Sequence, residues 1–179
     1  MSHERAPRPT LGLAALLAFL SMVSPFSLDT FFPSFPAIAH EFSLSALQLQ
    51  QTLTAYLVPY ALTMLLHGPL SDAYGRRRVI LSGMALYTLA SLACALAPDF
   101  AMLLVFRAMQ GATAGAGMVV ARAVVRDLYA GHDAQRLMSL ITMLFGFAPA
   151  VAPVIGGWVH VAFGWRAVFC ALTPIVSLN

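Results

Sequence analysis

Five apolar runs, each close to or above the roughly 20 residues that a helix needs to cross a ~30 Å hydrocarbon core, dominate this chain. They extend from Leu11 to about Phe32, from about Gln51 to Leu70, from Val79 to Ala97, from Phe100 to Ala121 and from Leu137 to Val159. A sixth begins near Arg166 and meets Asn179 about seven residues short of a crossing by the same length rule. Only 9% of the residues are charged against 60% hydrophobic, far below the roughly one quarter that a soluble surface carries. The expectation is an all-α membrane protein. It would have a tail over 1–10, then a bundle over 11–179 with spans at 11–32, 51–70, 79–97, 100–121, 137–159 and 166–179. The last span would be incomplete and the chain an N-terminal fragment.

Arginine placement orients the bundle, because basic loops stay cytoplasmic. All ten basic residues are arginine. With the N-terminus inside, the inner segments hold Arg5, Arg8, Arg76, Arg77, Arg78, Arg122, Arg126 and Arg136, and the outer segments hold only Arg166. The net charge of +3 comes from these short clusters and is no nucleic-acid footprint. A cleaved signal peptide is the competing reading of the first run, with Arg5 and Arg8 ahead of it and Ala37-Ile38-Ala39 as a cleavage site. Its apolar core is too long and four more spans follow. Cys94 and Cys170 both lie in apolar runs and read as packing residues, not a disulfide or a metal pair.

Pro59, Pro69, Pro149, Pro153 and Pro174 fall in or at the ends of spans, and glycines cluster at Gly111, Gly115, Gly117, Gly146, Gly156 and Gly157. In lipid, such residues are tolerated where neighbouring helices or cavities re-satisfy the backbone, and Gly111 to Gly115 forms a small-residue contact face. Two junctions also answer each other. Tyr74-Gly75-Arg76-Arg77-Arg78-Val79 and Phe163-Gly164-Trp165-Arg166-Ala167-Val168 share the order aromatic, Gly, x, Arg, x, Val. One would be cytoplasmic and the other external, which favours two three-span units of opposite topology.

Asp29 in the first span and Arg107 in the fourth are the intramembrane charges, each costing about 2.5–3.5 kcal/mol at mid-membrane on insertion scales. Asp29 precedes Pro36 by seven residues and Arg107 follows Phe100 by seven, so both should lie about 10 Å below the outer rim. They are expected to face one cavity, with Asp29 exchanging a proton or holding a cationic substrate and Arg107 tuning it. The bland alternative is a headgroup-level carboxylate and a snorkelling arginine. Gln110, one turn from Arg107, and Tyr56 are candidates for added hydrogen bonds or for interhelical packing. His67 is expected at the interface, and His40, His132 and His160 in loops without metal-ligand spacing.

The turn from Gly68 to Arg78 resembles the GxLaDrxGrk signature of the major facilitator superfamily. There Gly68 would allow close helix contact, Asp72 would cap the next helix or pair with arginine, and Gly75 would let the chain turn. Ala73 stands where the family usually has a basic residue. Arg107-Ala108-Met109-Gln110-Gly111 is similar to the family's RxxQG motif, whose arginine is linked to proton coupling. The stretch from Gly146 through Pro149 to Gly157 resembles the antiporter motif gxxxGPxxGG, with Pro153, Gly156 and Gly157 in place and Ala152 replacing the central glycine. Ser27-Leu28-Asp29 with Pro33 and Pro36, and Arg126-Asp127-Leu128-Tyr129, are similar to the bicyclomycin-resistance (Bcr/CflA) group of drug/proton antiporters.

The resemblance implies a six-helix N-terminal bundle built as a 3+3 inverted repeat, one half of a twelve-span transporter. It implies export of drugs or small metabolites against proton entry by alternating access, with the turn at Gly68, Asp72, Gly75 and Arg76 gating the exchange. The implied partners are a small-molecule substrate, protons, the lipid bilayer and the C-terminal half of the same transporter. No cofactor, metal or nucleic acid is implied, and the proton gradient would supply the driving force. An enzyme reading finds no paired intramembrane aspartate, no HExxH and no Ser/His/Asp set, and a channel reading finds no filter-like loop. The alternatives left open are an inactive truncated fragment, or a uniporter or symporter of the same fold.

Overall fold

The computed structural model describes residues 11–177; the tail expected over 1–10, with Arg5 and Arg8, lies outside them. Among the described residues all regular structure is helical. Helix α1 spans Leu11–Asp29, a single 3-10 turn spans Phe32–Ser34, and α2 spans Phe35–Glu41. Then come α3 (Ala46–Tyr74), α4 (Arg76–Ala95), α5 (Phe100–Leu128), α6 (Gly131–Phe163) and α7 (Trp165–Ser177). Among the described residues, five helical stretches are long and apolar enough to cross a membrane, α1 and α2 counting together as one.

Most of these helices outlast the apolar runs that announced them. Hydropathy marks where lipid lies, whereas a helix ends where its orphan backbone groups find caps. Ser45 accepts from the Gln48 backbone N–H at 3.3 Å while the Gln48 side chain accepts from the Ser45 N–H at 2.9 Å, so α3 begins before Gln51. Asp99 caps α5 through the Met102 N–H at 2.8 Å. Gly75 and Gly164 end α3 and α6 at φ +90° and +83°, a region that side-chain-bearing residues avoid. The first run is broken instead of lengthened: α1 stops at Asp29, and the prolines at 33 and 36 allow only a 3-10 turn and then short α2. The histidines placed in loops lie in helices: His40 in α2, His132 in the first turn of α6 and His160 in its last.

Helix α5 forms the centre, packing against α1, α3, α4 and α6. It can do so because its middle is a run of small residues, Ala114 to Gly117, all buried. A methyl group on Gly111 would collide with the Tyr56 carbonyl, so α5 and α3 meet backbone to backbone at that level. On α6, Leu137, Ile141, Ala148, Ala152 and Gly156 form the buried stripe, and α1 is its main partner. By contrast, α3 buries only Thr52, Tyr56 and Ser71, leaving Leu57, Leu62, Leu65 and Leu66 exposed.

Candidate functional site

Arg107 is the largest fully buried side chain of the bundle, with no exposed surface. One of its terminal N–H groups donates to Gln110 Oε1 at 2.7 Å, a local bond that three-residue helical spacing permits. Gln110 Nε2 donates in turn to Ser91 Oγ of α4 at 2.8 Å, and Ser91 Oγ donates to the Tyr87 carbonyl at 2.8 Å. Aromatic rings close the rest of the site. The guanidinium carbon lies 4.5 Å from the Tyr56 ring centre, 4.7 Å from Phe31 and 5.9 Å from Phe169. Tyr56 is fixed at its far end, where its hydroxyl donates to the Ser24 carbonyl at 3.2 Å.

The cage accounts for a buried cation without a carboxylate. A desolvated cation–π contact contributes about 2 kcal/mol, so two close rings offset the roughly 2.5–3.5 kcal/mol that an arginine costs at mid-membrane. Among the described residues, Nε and the other terminal nitrogen of Arg107 have no hydrogen-bond partner, and neither do Ser27 Oγ and the Tyr87 hydroxyl. The site is a held charge with spare donors.

Asp29 stands apart. It is the last residue of α1, half-buried, and it forms no ion pair with Arg107. Three rings cover the guanidinium, and Asp29 is not among its contacts. The connection between them is Phe31, two residues beyond Asp29, which lies on Arg107. Arg107, Gln110 and Tyr56, all visible in sequence, therefore come together, and the structure adds Phe31, Phe169 and Ser91. No local signal marks those three, since they come from three other segments of the chain.

The Gly68–Arg76 turn forms an ionic clasp. Arg76 pairs with Asp72 at 2.5 Å and with Asp127 at the end of α5 at 3.0 Å, and it also donates to Ser71. Asp72 thus pairs with arginine and does not cap α4, whose start has no side-chain cap. A methyl group on Gly68 would sit 4.0 Å from Val119, an ordinary contact, so close approach is not what Gly68 supplies within the bundle. His67 is half-buried beside Gly115.

A second clasp holds the opposite end. Arg166 donates to Glu41 Oε1 at 2.6 Å and to the Ala97 carbonyl at 3.2 Å. Trp165 Nε1 donates to the other Glu41 oxygen at 2.6 Å, and the Arg166 guanidinium lies 4.2 Å from the Trp165 ring. Glu41 carried no sequence-level mark.

The motif residues of α6 divide by face. Gly156 meets the Thr30 backbone so closely that a methyl group would overlap it, and a methyl group on Gly157 would touch Pro33 at 3.9 Å. Gly146 and Pro149 are exposed and Pro153 is half-buried. One face of α6 seals against α1, and the other is left open.

Fold and site together define a polytopic α-helical membrane protein organised around a buried, caged cation. The sequence profile of the Major Facilitator Superfamily matches residues 17–179, and the chain belongs to that family of transporters. It is 40% identical over 177 residues to the uncharacterized MFS-type transporter YdgK of Bacillus subtilis, covering 98% of this chain and 44% of that protein. It is 36% identical to the bicyclomycin resistance protein homolog of Haemophilus influenzae, covering 89% of this chain and 40% of that one. With multidrug resistance protein D of Escherichia coli the identity is 33%, over 93% of this chain and 42% of the relative. The chain therefore spans about 40% of the length of these relatives.

Proposed function

We propose that this chain is the N-terminal bundle of a proton-coupled antiporter that exports drugs or small metabolites by alternating access. It would lie in the bacterial inner membrane with its N-terminus cytoplasmic, and the proton gradient would drive it without a cofactor. The observation that carries the reading is Arg107: a cation held by three rings, Gln110 and no carboxylate, with donors to spare. The names of the Haemophilus influenzae and Escherichia coli relatives, which refer to bicyclomycin and multidrug resistance, support the substrate class.

In this reading Asp29 takes up and releases the proton. Among the described residues its carboxylate forms no ion pair, and it sits at the break between α1 and the 3-10 turn. A charge change at a helix end acts on the turn that follows, and that turn carries Phe31, the ring that rests on Arg107. Arg107 acts as a positioning residue, with Gln110 and Tyr56 holding its plane. Gly68, Asp72, Gly75 and Arg76 form the gating turn. Gly146, Pro149 and Pro153 supply the α6 surface that works against the C-terminal half, while Gly156 and Gly157 seat that helix against Thr30 and Pro33.

Asp29→Asn in the complete transporter is the direct test. Expected is loss of substrate accumulation against a gradient, with substrate exchange down its gradient retained. Proton-driven export at the unmodified rate in that variant would remove Asp29 from the mechanism.

A further inference from the structure

The sealed and the open face of α6 belong to one continuous helix, and the sealed face holds the chain where the first span breaks. A methyl group on Gly156 would lie 2.1 Å from the Thr30 carbonyl oxygen and 2.7 Å from the Thr30 Cα. Carbon normally meets a carbonyl oxygen at about 3.3 Å or more, so a side chain at 156 would drive the two backbones apart by about 1 Å. One residue on, the same change at Gly157 would meet only Pro33, at 3.9 Å. The tight contact belongs to Gly156 alone of the pair.

Thr30 cannot yield by itself. Its N–H and its hydroxyl both donate to the Phe26 carbonyl, at 3.1 and 2.7 Å, which fastens it to the last turn of α1. Phe31 follows one peptide bond later, its Cα about 3.8 Å from that of Thr30. The Phe31 ring is buried, 4.7 Å from the Arg107 guanidinium carbon, 5.2 Å from the Phe169 ring and 5.1 Å from that of Phe35. A shift of Thr30 therefore reaches Phe31, and a ring packed on several sides has little free space in which to absorb it. Gly156, Thr30, Phe31 and Arg107 form an unbroken series of contacts from α6 to the caged cation.

The geometry points to Gly156 as a positioning residue for the Arg107 cage: the Gly156–Thr30 seat sets where Phe31 rests on the guanidinium, so a movement of α6 is passed to Arg107. The seat stands on these contacts alone. Its consequence for transport rests on the antiport reading, in which the open face of α6 works against the C-terminal half. Rocking of that half would then reposition the ring on Arg107 through packed contacts.

The test uses the complete transporter labelled with nitrogen-15 arginine, with NMR reading the Nε–H of Arg107. Arg107→Lys identifies the resonance by its loss. That nitrogen is buried and has no hydrogen-bond partner among the described residues, so the surrounding rings dominate its shift. Phe31→Leu should move the resonance, Gly156→Ala should move it too, and Gly157→Ala should leave it in place. Gradient-driven export should fall in Gly156→Ala and in Phe31→Leu, and the double variant should fall no further than the worse single one, because both act through one contact. A resonance unmoved by Gly156→Ala, or moved equally by Gly157→Ala, would overturn the proposal, as would losses that multiply in the double variant. If Phe31→Leu leaves gradient-driven export intact, the antiport reading fails and the resonance alone decides the seat. Should Gly156→Ala not give a monodisperse protein, the link is read in reverse. Phe31→Leu should then speed amide hydrogen exchange at 154–158 relative to 137–141, and an unchanged ratio would sink the proposal.

Discussion

The two ends of the bundle are held by the same device built from different residues. At the α3–α4 turn, Gly75 at φ +90° is followed by Arg76, which reaches the carboxylate of Asp127 at the end of α5. At the α6–α7 turn, Gly164 at φ +83° is followed by Trp165, which reaches the carboxylate of Glu41 at the end of α2. Each turn thus ties itself to the end of the helical stretch that opens the other triplet. The sequence comparison aligns Arg77 with Arg166, but the residue engaged at the first turn is Arg76, one position earlier. What the two junctions share is a backbone conformation and a type of partner, not a side chain at a fixed register. They also differ in strength. Glu41 accepts two charge-assisted bonds and has a ring stacked behind its arginine, whereas Asp127 accepts one and Arg76 divides itself among three partners.

Substitution of the two glycines should give the largest effect and treat both ends alike. Gly75→Ala and Gly164→Ala each force a side chain into a glycine-only region, at about 1–3 kcal/mol. Thermal unfolding of the complete transporter, followed by thiol labelling of buried Cys94 with exposed Cys170 replaced by serine, measures this. If only one variant is destabilised, the backbone likeness of the turns is coincidental. The carboxylates should separate the ends: Glu41→Ala is expected to cost about 1–2 kcal/mol and Asp127→Ala less than about 1 kcal/mol, both discounted for partial exposure. The reverse order in the same assay would mean that the Arg76 clasp is the stronger. Salt gives the smallest effect. Raising ionic strength to about 1 M shortens the Debye length to about 3 Å and should narrow the stability gap between wild type and Asp127→Ala more than the gap for Glu41→Ala, whose Trp165 contacts are not ionic pairs.

The caged arginine shows how far a local reading extends. Arg107 and Gln110 are three residues apart on one helix, so their bond follows from helical spacing alone. Phe31 and Phe169 are far from Arg107 in the chain and resemble the many other phenylalanines of an apolar sequence. Nothing local separates a ring that faces lipid from one that covers a cation. The expected meeting of Asp29 with Arg107 rested on depth, which counting residues can provide. Whether two side chains at one depth face each other depends on helix rotation, and that is set by packing. Here the end of α1 turns its Gly156-facing backbone to α6 and sends Phe31, not Asp29, to the guanidinium.

By itself the sequence determined the solvent, the helical class and the approximate crossings, because the length and apolarity of a run decide those within a single segment. It also determined the family, through motifs that lie in consecutive residues. Tertiary structure alone decided which rings surround Arg107 and which carboxylate each turn grips. Those outcomes depend on contacts between segments more than fifty residues apart, and no run of neighbouring residues carries the rotation of one helix against another.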